Sequence, residues 1–499
     1  MLYILSLLLG ASLTLSYAPF SYWAVMPIAL TGYLCILHKA RLEQAGKLGF
    51  CFGLGWFGAG ISWVHVSIAD FGGLPLAGSI GLMVLLCSYL SLYPMLFSKL
   101  AKRYFSPQVW ALALPFLWLL CEWARGIFLT GFPWLSIGYS QMQSPLSGWL
   151  PVIGEFGVSA LLMALCAACA VWLLSKRYLP PIILSVLVYL SGWTLNQHNW
   201  VSPTGEPVHI AMVQGNIPQD IRWAPEQDWP TMKKYLELTE AHWDNQVIIW
   251  PEAAIPQLEP IAADYLMQLD QEAAEKKTGL LTGIVNYNFE TRQAYNSIIG
   301  VGLKESTDSE GHYHYPQSNR FDKHHLLPIG EFIPMEDWLR GLAPIFDLPM
   351  SSFTRGDYQQ VNLLANGFHF APALCFEIAF PRQIRQNLYE DTDFIITVSN
   401  DAWFGHSHGP AQHLEIAQVR AKEFGMPIMR STNNGITAFI NADGEIKSRL
   451  PQFETGVLSD EIQRVSGTTP YRYIGDLGPW VLTVLAFIIA IRLNRTKSH

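Results

Sequence analysis

Long apolar runs dominate the first 196 residues, and each approaches the roughly 20 residues that a helix needs to cross the hydrocarbon core of a bilayer. Seven are read, at 2–17, 22–37, 49–68, 74–97, 109–127, 157–174 and 181–195, broken by turn-rich or charged stretches. An eighth lies at 477–491. Between them, residues 197–475 change to short β-rich runs alternating with polar helical stretches, the pattern of a globular α/β domain. The expected architecture is a multi-pass α-helical membrane bundle of eight transmembrane helices plus one extramembrane α/β domain. Its parts are a seven-helix bundle over 1–196, the α/β domain over 197–475, and a last helix with a basic tail over 476–499. The first apolar run lacks the basic flank and small-residue cleavage site of a signal peptide, so it is expected to be retained.

Composition agrees with a bilayer: half of the residues are hydrophobic and 14% charged, against about 25% in soluble proteins. Cytoplasmic loops collect lysine and arginine, so the basic loops set the orientation. Lys39, Arg41 and Lys47 follow the second run, Lys99, Lys102 and Arg103 the fourth, Lys176 and Arg177 the sixth, and Arg492, Arg495 and Lys497 the eighth. Alternation then places both termini in the cytoplasm and residues 197–475 on the exterior or periplasmic side. The net charge of -8 and the absence of a basic stripe exclude nucleic acid as a partner. Six of the seven cysteines fall in the apolar first half, where they read as small hydrophobes, and the Cys166-x-x-Cys169 spacing inside an apolar helix reads as packing rather than redox chemistry. Cys375 alone lies in the polar half, as a reactive thiol in an oxidising compartment would.

Three stretches of that half put a carboxylate, an amine and a thiol at the ends of expected strands. Val247-Ile248-Ile249-Trp250-Pro251 is a β run stopped by proline, and Glu252 follows it. Arg320-Phe321-Asp322 leads into Lys323. Phe370 to Leu374 leads into Cys375, ahead of a helix-like stretch at 381–389. A thiol on a strand-to-helix turn is exposed and has backbone N–H groups aimed near it, which suits a nucleophile that must hold an oxyanion. The chemistry assigns Glu252 as the proton acceptor for the thiol, Lys323 as the ammonium that stabilises the oxyanion together with the N–H of Phe376, and Cys375 as the nucleophile.

Together these motifs resemble the nitrilase (carbon-nitrogen hydrolase) superfamily, whose Glu-Lys-Cys triad occurs in this chain order. The longer words Trp-Pro-Glu-Ala-Ala at 250–254, Asp-Lys-His-His-Leu at 322–326, Gly-Glu-Phe-Ile-Pro at 330–334 and Cys-Phe-Glu-Ile at 375–378 are similar to those of its apolipoprotein N-acyltransferase branch. Val213 to Pro218, Ser399 to Gly405 and Arg430 to Gly435 add to the likeness. The resemblance implies an αββα sandwich on the helical bundle, in the inner membrane of a bacterium with the catalytic domain in the periplasm. It implies a ping-pong acyl transfer: Cys375 takes an acyl chain from a membrane phospholipid, typically phosphatidylethanolamine, as a thioester. The acyl chain then passes to the α-amino group of the diacylglyceryl-cysteine that begins an apolipoprotein. No cofactor and no metal is implied. The resemblance also carries over Glu331 as a second glutamate that orders the site, with Phe376 and Glu377 flanking the nucleophile. Relatives often have tyrosine at the position of Phe376, so a hydroxyl role there does not transfer. Trp223 stands where a tryptophan lies near the substrate entrance, and holding a headgroup or acyl chain and simple packing are both open to it.

Other features invite alternatives. His406, His408 and His413 do not have the tight helical spacing of a zinc site. Glu122 and Arg125, three apart near a helix end, are expected either to grip a headgroup or to pair with each other, the pair being favoured. The aromatic, turn-rich stretch from Gly131 to Pro151 is expected in the membrane interface, and the apolar segment 343–350 as a lid that gates lipid access. Two rivals share the sequence: a membrane-tethered amidase that passes its thioester to water, and a transporter or sensor with a ligand-binding exterior domain. The scarcity of ionisable residues in the apolar runs opposes the second.

Overall fold

Each of the eight apolar runs contains a helix, the structure that satisfies backbone N–H and C=O groups within one segment. The computed structural model describes residues 1–71, 75–316, 319–328, 330–332 and 353–496; the expected lid at 343–350 lies outside them. The chain divides into two compact units, Met1–Trp200 with Ser407–Glu415 and Thr468–His499, and Val201–His406 with Ile416–Gly467.

In the first unit the long helices are Leu2–Ser12, Val25–Lys39, Leu42–Gly60, Leu76–Tyr104, Trp110–Arg125, Leu150–Leu174, Leu179–Asn196 and Leu477–Arg495. Among the described residues, four helices are long and apolar enough to cross a membrane: Leu76–Tyr104, Pro145–Leu174, Leu179–Asn196 and Leu477–Thr496. The third helix begins seven residues before the predicted 49, because Arg41 N–H is capped by Gln44 Oε1 at 3.0 Å and the charged residues of its first turns reach solvent. Its glycines do the packing. A Cβ on Gly49 would fall 2.3 Å from the carbonyl oxygen of Pro94, and one on Gly55 2.0 Å from that of Leu7, so two neighbouring helices meet this one backbone to backbone.

The stretch from Gly131 to Pro151 is largely buried. Trp134, Leu135, Ile137 and Tyr139 are buried inside the first unit. Arg125 donates to the carbonyls of Phe132, at 2.9 Å, and Trp134. A Glu122 oxygen accepts from Ile137 N–H at 3.2 Å, and Gly138 N–H reaches Ser159 Oγ at 3.0 Å. Glu122 and Arg125 thus each hold this loop, and Arg125 also acts electrostatically on Glu122: a buried loop needs partners for its backbone, and these side chains supply them.

The second unit is built on two sheets. In chain order the strands are β1 (Val201–Gln214), β2 (Val247–Ile249), β3 (Ile255–Leu258), β4 (Gly279–Asn288), β5 (Gln293–Gly302), β6 (Arg320–Asp322), β7 (Leu363–Ala365), β8 (Phe368–Leu374), β9 (Phe394–Ser399), β10 (Ile428–Thr432), β11 (Ala438–Ile440), β12 (Ile446–Arg449) and β13 (Gly456–Gly467). One sheet runs β13-β1-β2-β4-β5-β6 with β3 on β4, the other β12-β11-β10-β9-β8-β7. The central pairs β1-β2, β2-β4, β8-β9 and β9-β10 are parallel and the flanking ones antiparallel.

Alternation along β1 decides what each face covers. Val208, Ile210 and Met212 join Val247, Ile249 and Leu281 against Leu374, Phe394, Ile396 and Met429 of the other sheet. Ala211 and Val213 instead face Met232 and Tyr235 of the helix Asp228–Thr239 and Leu266 and Leu269 of the helix Ala263–Glu275. Each Val, Leu, Ile, Phe or Met among them, fully buried, contributes about 1.5–3 kcal/mol. The parallel strands share a direction, so their C-terminal ends carry their following loops to one edge of the sandwich.

Candidate active site

Glu252, Lys323 and Cys375 each sit just past a strand end. After β2, Trp250 N–H still donates to Leu281 O at 2.8 Å, and the chain then breaks away through Pro251. Ala253 has φ +45°, and Gly283 of β4 gives the turn room, since a Cβ there would lie 2.4 Å from Ala253 N. Lys323 follows β6, and its N–H donates to Asn296 O of β5 at 2.8 Å. Cys375 follows β8 at φ +54° and opens the turn Cys375–Ala379, a left-handed conformation that a non-glycine residue holds only at a local cost. The sharp reversal lifts the thiol off the strand.

The three meet around a buried cation. Lys323 Nζ lies 2.9 Å from Glu331 Oε1, 2.8 Å from Glu331 Oε2 and 3.9 Å from Glu252 Oε1, with its side chain 1% exposed. Asn296 Nδ2 donates to Glu252 Oε1 and Glu331 Oε1, both at 2.8 Å, and Asn400 N–H donates to Glu252 Oε2 at 2.8 Å. Burial alone would depress the pKa of Lys323, but Glu331 and Glu252 outweigh it and hold the ammonium above the ordinary lysine range. Burial pushes the Cys375 thiol well up, Glu252 adds to the rise and Lys323 opposes it. The resting sulfur is a thiol, with Glu252 and Lys323 both acting electrostatically on it.

Glu377 ties the lysine and cysteine segments together. Its carboxylate accepts from His324 N–H at 2.8 Å, His325 N–H at 3.0 Å, Leu374 N–H at 2.9 Å and Gln383 Nε2 at 2.9 Å. Burial raises its pKa, opposed by the bonds from Gln383, Leu374 and His325. Phe376 is buried with its ring edge-on to Phe380 at 5.1 Å. Trp223 stays at the surface, 39% exposed, with the Arg222 guanidinium 5.7 Å from its ring centre. Arg222 itself is buried and donates to the carbonyls of Glu252 and, at 2.7 Å, Ala253, so the Trp223 segment is fastened to the turn that carries Glu252. The three histidines diverge: His406 packs on Phe453 at 4.1 Å, His408 Nε2 meets Gly60 O at 3.1 Å, and His413 lies 5.5 Å from the Trp134 ring.

Sequence reasoning passed over Asn296, and took the stretches that hold Ser399, Asp401 and Arg430 for their likeness alone, with no role for these residues. The available signal was an amide just ahead of the apolar Ile298-Ile299 of β5, a charge directly after β9 and another inside β10, positions that stay buried only when paired.

Comparison with known proteins bears on both units. Residues 9–169 match the family of the apolipoprotein N-acyltransferase N-terminal domain, and residues 209–472 that of carbon-nitrogen hydrolases. The apolipoprotein N-acyltransferase of Vibrio parahaemolyticus is 45% identical over 98% of this chain and 96% of its own. That of Shewanella oneidensis is 46% identical over 99% and 96%. Among solved structures, a CN-hydrolase superfamily protein of Xanthomonas campestris aligns over 52% of this chain and 91% of its own, at 14% identity and a TM-score of 0.37.

Proposed function

Since the chain belongs to the apolipoprotein N-acyltransferase family, an acyltransferase of lipoprotein biosynthesis that moves a phospholipid acyl chain to the amino terminus of lipoproteins, we infer that the transfer runs through Cys375, Glu252 and Lys323. The observation that carries this reading is the buried ammonium of Lys323 between Glu252 and Glu331, electrostatically coupled to the thiol on the left-handed turn. In the first half-reaction Glu252 takes the thiol proton and the sulfur attacks the ester carbonyl of the phospholipid. Lys323 and the N–H of Phe376 hold the oxyanion, which is worth about 10²–10³ in rate per donor. Collapse expels the lysophospholipid, whose oxygen takes the proton from Glu252, and leaves a thioester. In the second, the α-amino group attacks that thioester, Glu252 accepts the amine proton, and the sulfur leaves and is reprotonated by Glu252. Glu331 keeps Lys323 charged and in place, Glu377 sets the two segments at their spacing, and Trp223 receives a headgroup or acyl chain.

Phosphatidylethanolamine is the proposed donor. All eight helices are proposed to cross the bacterial inner membrane, with both termini cytoplasmic and the second unit in the periplasm, where substrates anchored in the outer leaflet offer their reacting groups. Mass spectrometry of the protein incubated with phosphatidylethanolamine tests the chemistry. The peptide containing Cys375 gains an acyl mass that hydroxylamine removes, Cys375→Ala abolishes and a diacylglyceryl-cysteine peptide discharges. Discharge by water alone would turn the reading to the amidase, and no adduct at all would sink it.

A further inference from the structure

The end of β9 touches the nucleophile and the base with successive residues. Ser399 Oγ lies 3.4 Å from Cys375 Sγ, while the N–H of Asn400 holds Glu252 Oε2 at 2.8 Å. Ser399 Oγ is also 2.5 Å from Asp401 Oδ1, and Asp401 Oδ2 is 2.6 Å from an Arg430 guanidinium nitrogen. Ser399, Asp401 and Arg430 are each at most 1% exposed. A hydroxyl carries one hydrogen, so it serves either the carboxylate or the sulfur at a given moment. We propose that Ser399 is a positioning residue of the acyl transfer whose hydroxyl hydrogen rests on Asp401 while Cys375 is a thiol or thioester and turns to the sulfur when it becomes a thiolate.

In the resting state the short contact to Asp401 commits the hydrogen, and Ser399 Oγ is left to accept the S–H, which fixes where the thiol points. When Glu252 removes the thiol proton, the new anion competes for the hydroxyl hydrogen, and Arg430 compensates Asp401 for its loss. No bond is made or broken at Ser399; the hydroxyl rotates. The same donation recurs when the sulfur leaves in the second half-reaction. Other charges acting on the sulfur are Glu252 and Lys323, with Glu331 behind the lysine; Glu377, on the cysteine's own turn, is engaged by backbone amides. Asp401 disfavours the thiolate and Ser399 favours it, so the two residues have opposite signs.

This rests on Cys375 being the nucleophile, and the test separates the two. The full-length protein in detergent is alkylated with iodoacetamide across a pH series, and the peptide containing Cys375 is quantified without any acyl substrate. Ser399→Ala moves the profile to higher pH and slows alkylation about ten-fold at neutral pH, the worth of one hydrogen bond to an anion. Ser399→Thr, which keeps the hydroxyl, retains the native profile. Asp401→Asn frees the hydrogen and removes a negative charge, so it accelerates alkylation at an unchanged thermal midpoint; damage to the fold, which would also expose the thiol, shows instead as a lowered midpoint and as acceleration in Ser399→Ala too. Unchanged profiles, or a slowing in both Ser399→Ala and Asp401→Asn, would overturn the proposal. Should the alanine variant not accumulate, the sign of Asp401→Asn alone decides. Failure of the nucleophile itself would show separately, as no thioester with phospholipid.

Discussion

Asn296 carries two N–H groups on one amide, and both are spent on carboxylates that would otherwise repel each other across Lys323. Its side-chain oxygen is buried with no hydrogen-bond partner among the described residues, so the residue is held there for its donors. Asn296→Leu leaves Glu252 and Glu331 each short of one bond, at a cost of about 1.5–3 kcal/mol apiece. Thioester formation is expected to slow by one to two orders of magnitude, and Asn296→Asp, which adds a third acid to one ammonium, to slow it further; single-turnover acylation followed by mass spectrometry measures both. Nothing in the sequence around Asn296 announces this. Glu252 and Cys375 were legible because each ends a visible apolar run, and Lys323 through the words that surround it. An asparagine inside a strand depends on which residues face it across the sheet, a matter of register rather than of local pattern.

Elements were read best where one period ruled them. The strands β2 and β8 and most of the apolar helices lie where their runs do, the helix Leu42–Gly60 being displaced toward the N-terminus. For the stretch from Gly131 to Pro151, aromatic residues among turns suggest an interface; what the sequence cannot assign is Arg125, Glu122 and Ser159, the partners of its backbone. The glycines of the helix Leu42–Gly60 read as weak helix formers, yet they are where its neighbours come closest. Gly49→Leu would put a side chain into Pro94 O and Ser98 Oγ, atoms 2.3 and 2.6 Å from where its Cβ must go. Overpacking of this kind costs about 1–3 kcal/mol or more, because here it meets backbone. The thermal midpoint in detergent falls accordingly, while Gly58→Leu, with open space around it, leaves the midpoint in place.

For the whole molecule, the basic loops give the one prediction that needs no site chemistry. Glu310→Cys, on an exposed loop of the second unit, is labelled by a membrane-impermeant maleimide in spheroplasts, and Lys176→Cys, exposed after the helix Leu150–Leu174, only after permeabilisation. The reverse pattern would invert the proposed orientation. The two-sheet order was beyond sequence reading because β13 follows β12 in the chain yet pairs with β1, across the full width of the unit's sequence. That pairing has a further consequence. Val201 lies opposite Gly467 and Gln214 opposite Gly456, so the first and last strands of the second unit are zipped into one ladder, and the chain arrives and departs at neighbouring points. The ladder works as a clasp: the strand that opens the unit is bonded to the one that closes it, so loosening either end frees the other, while the one departure in between, Ser407–Glu415, belongs to the first unit.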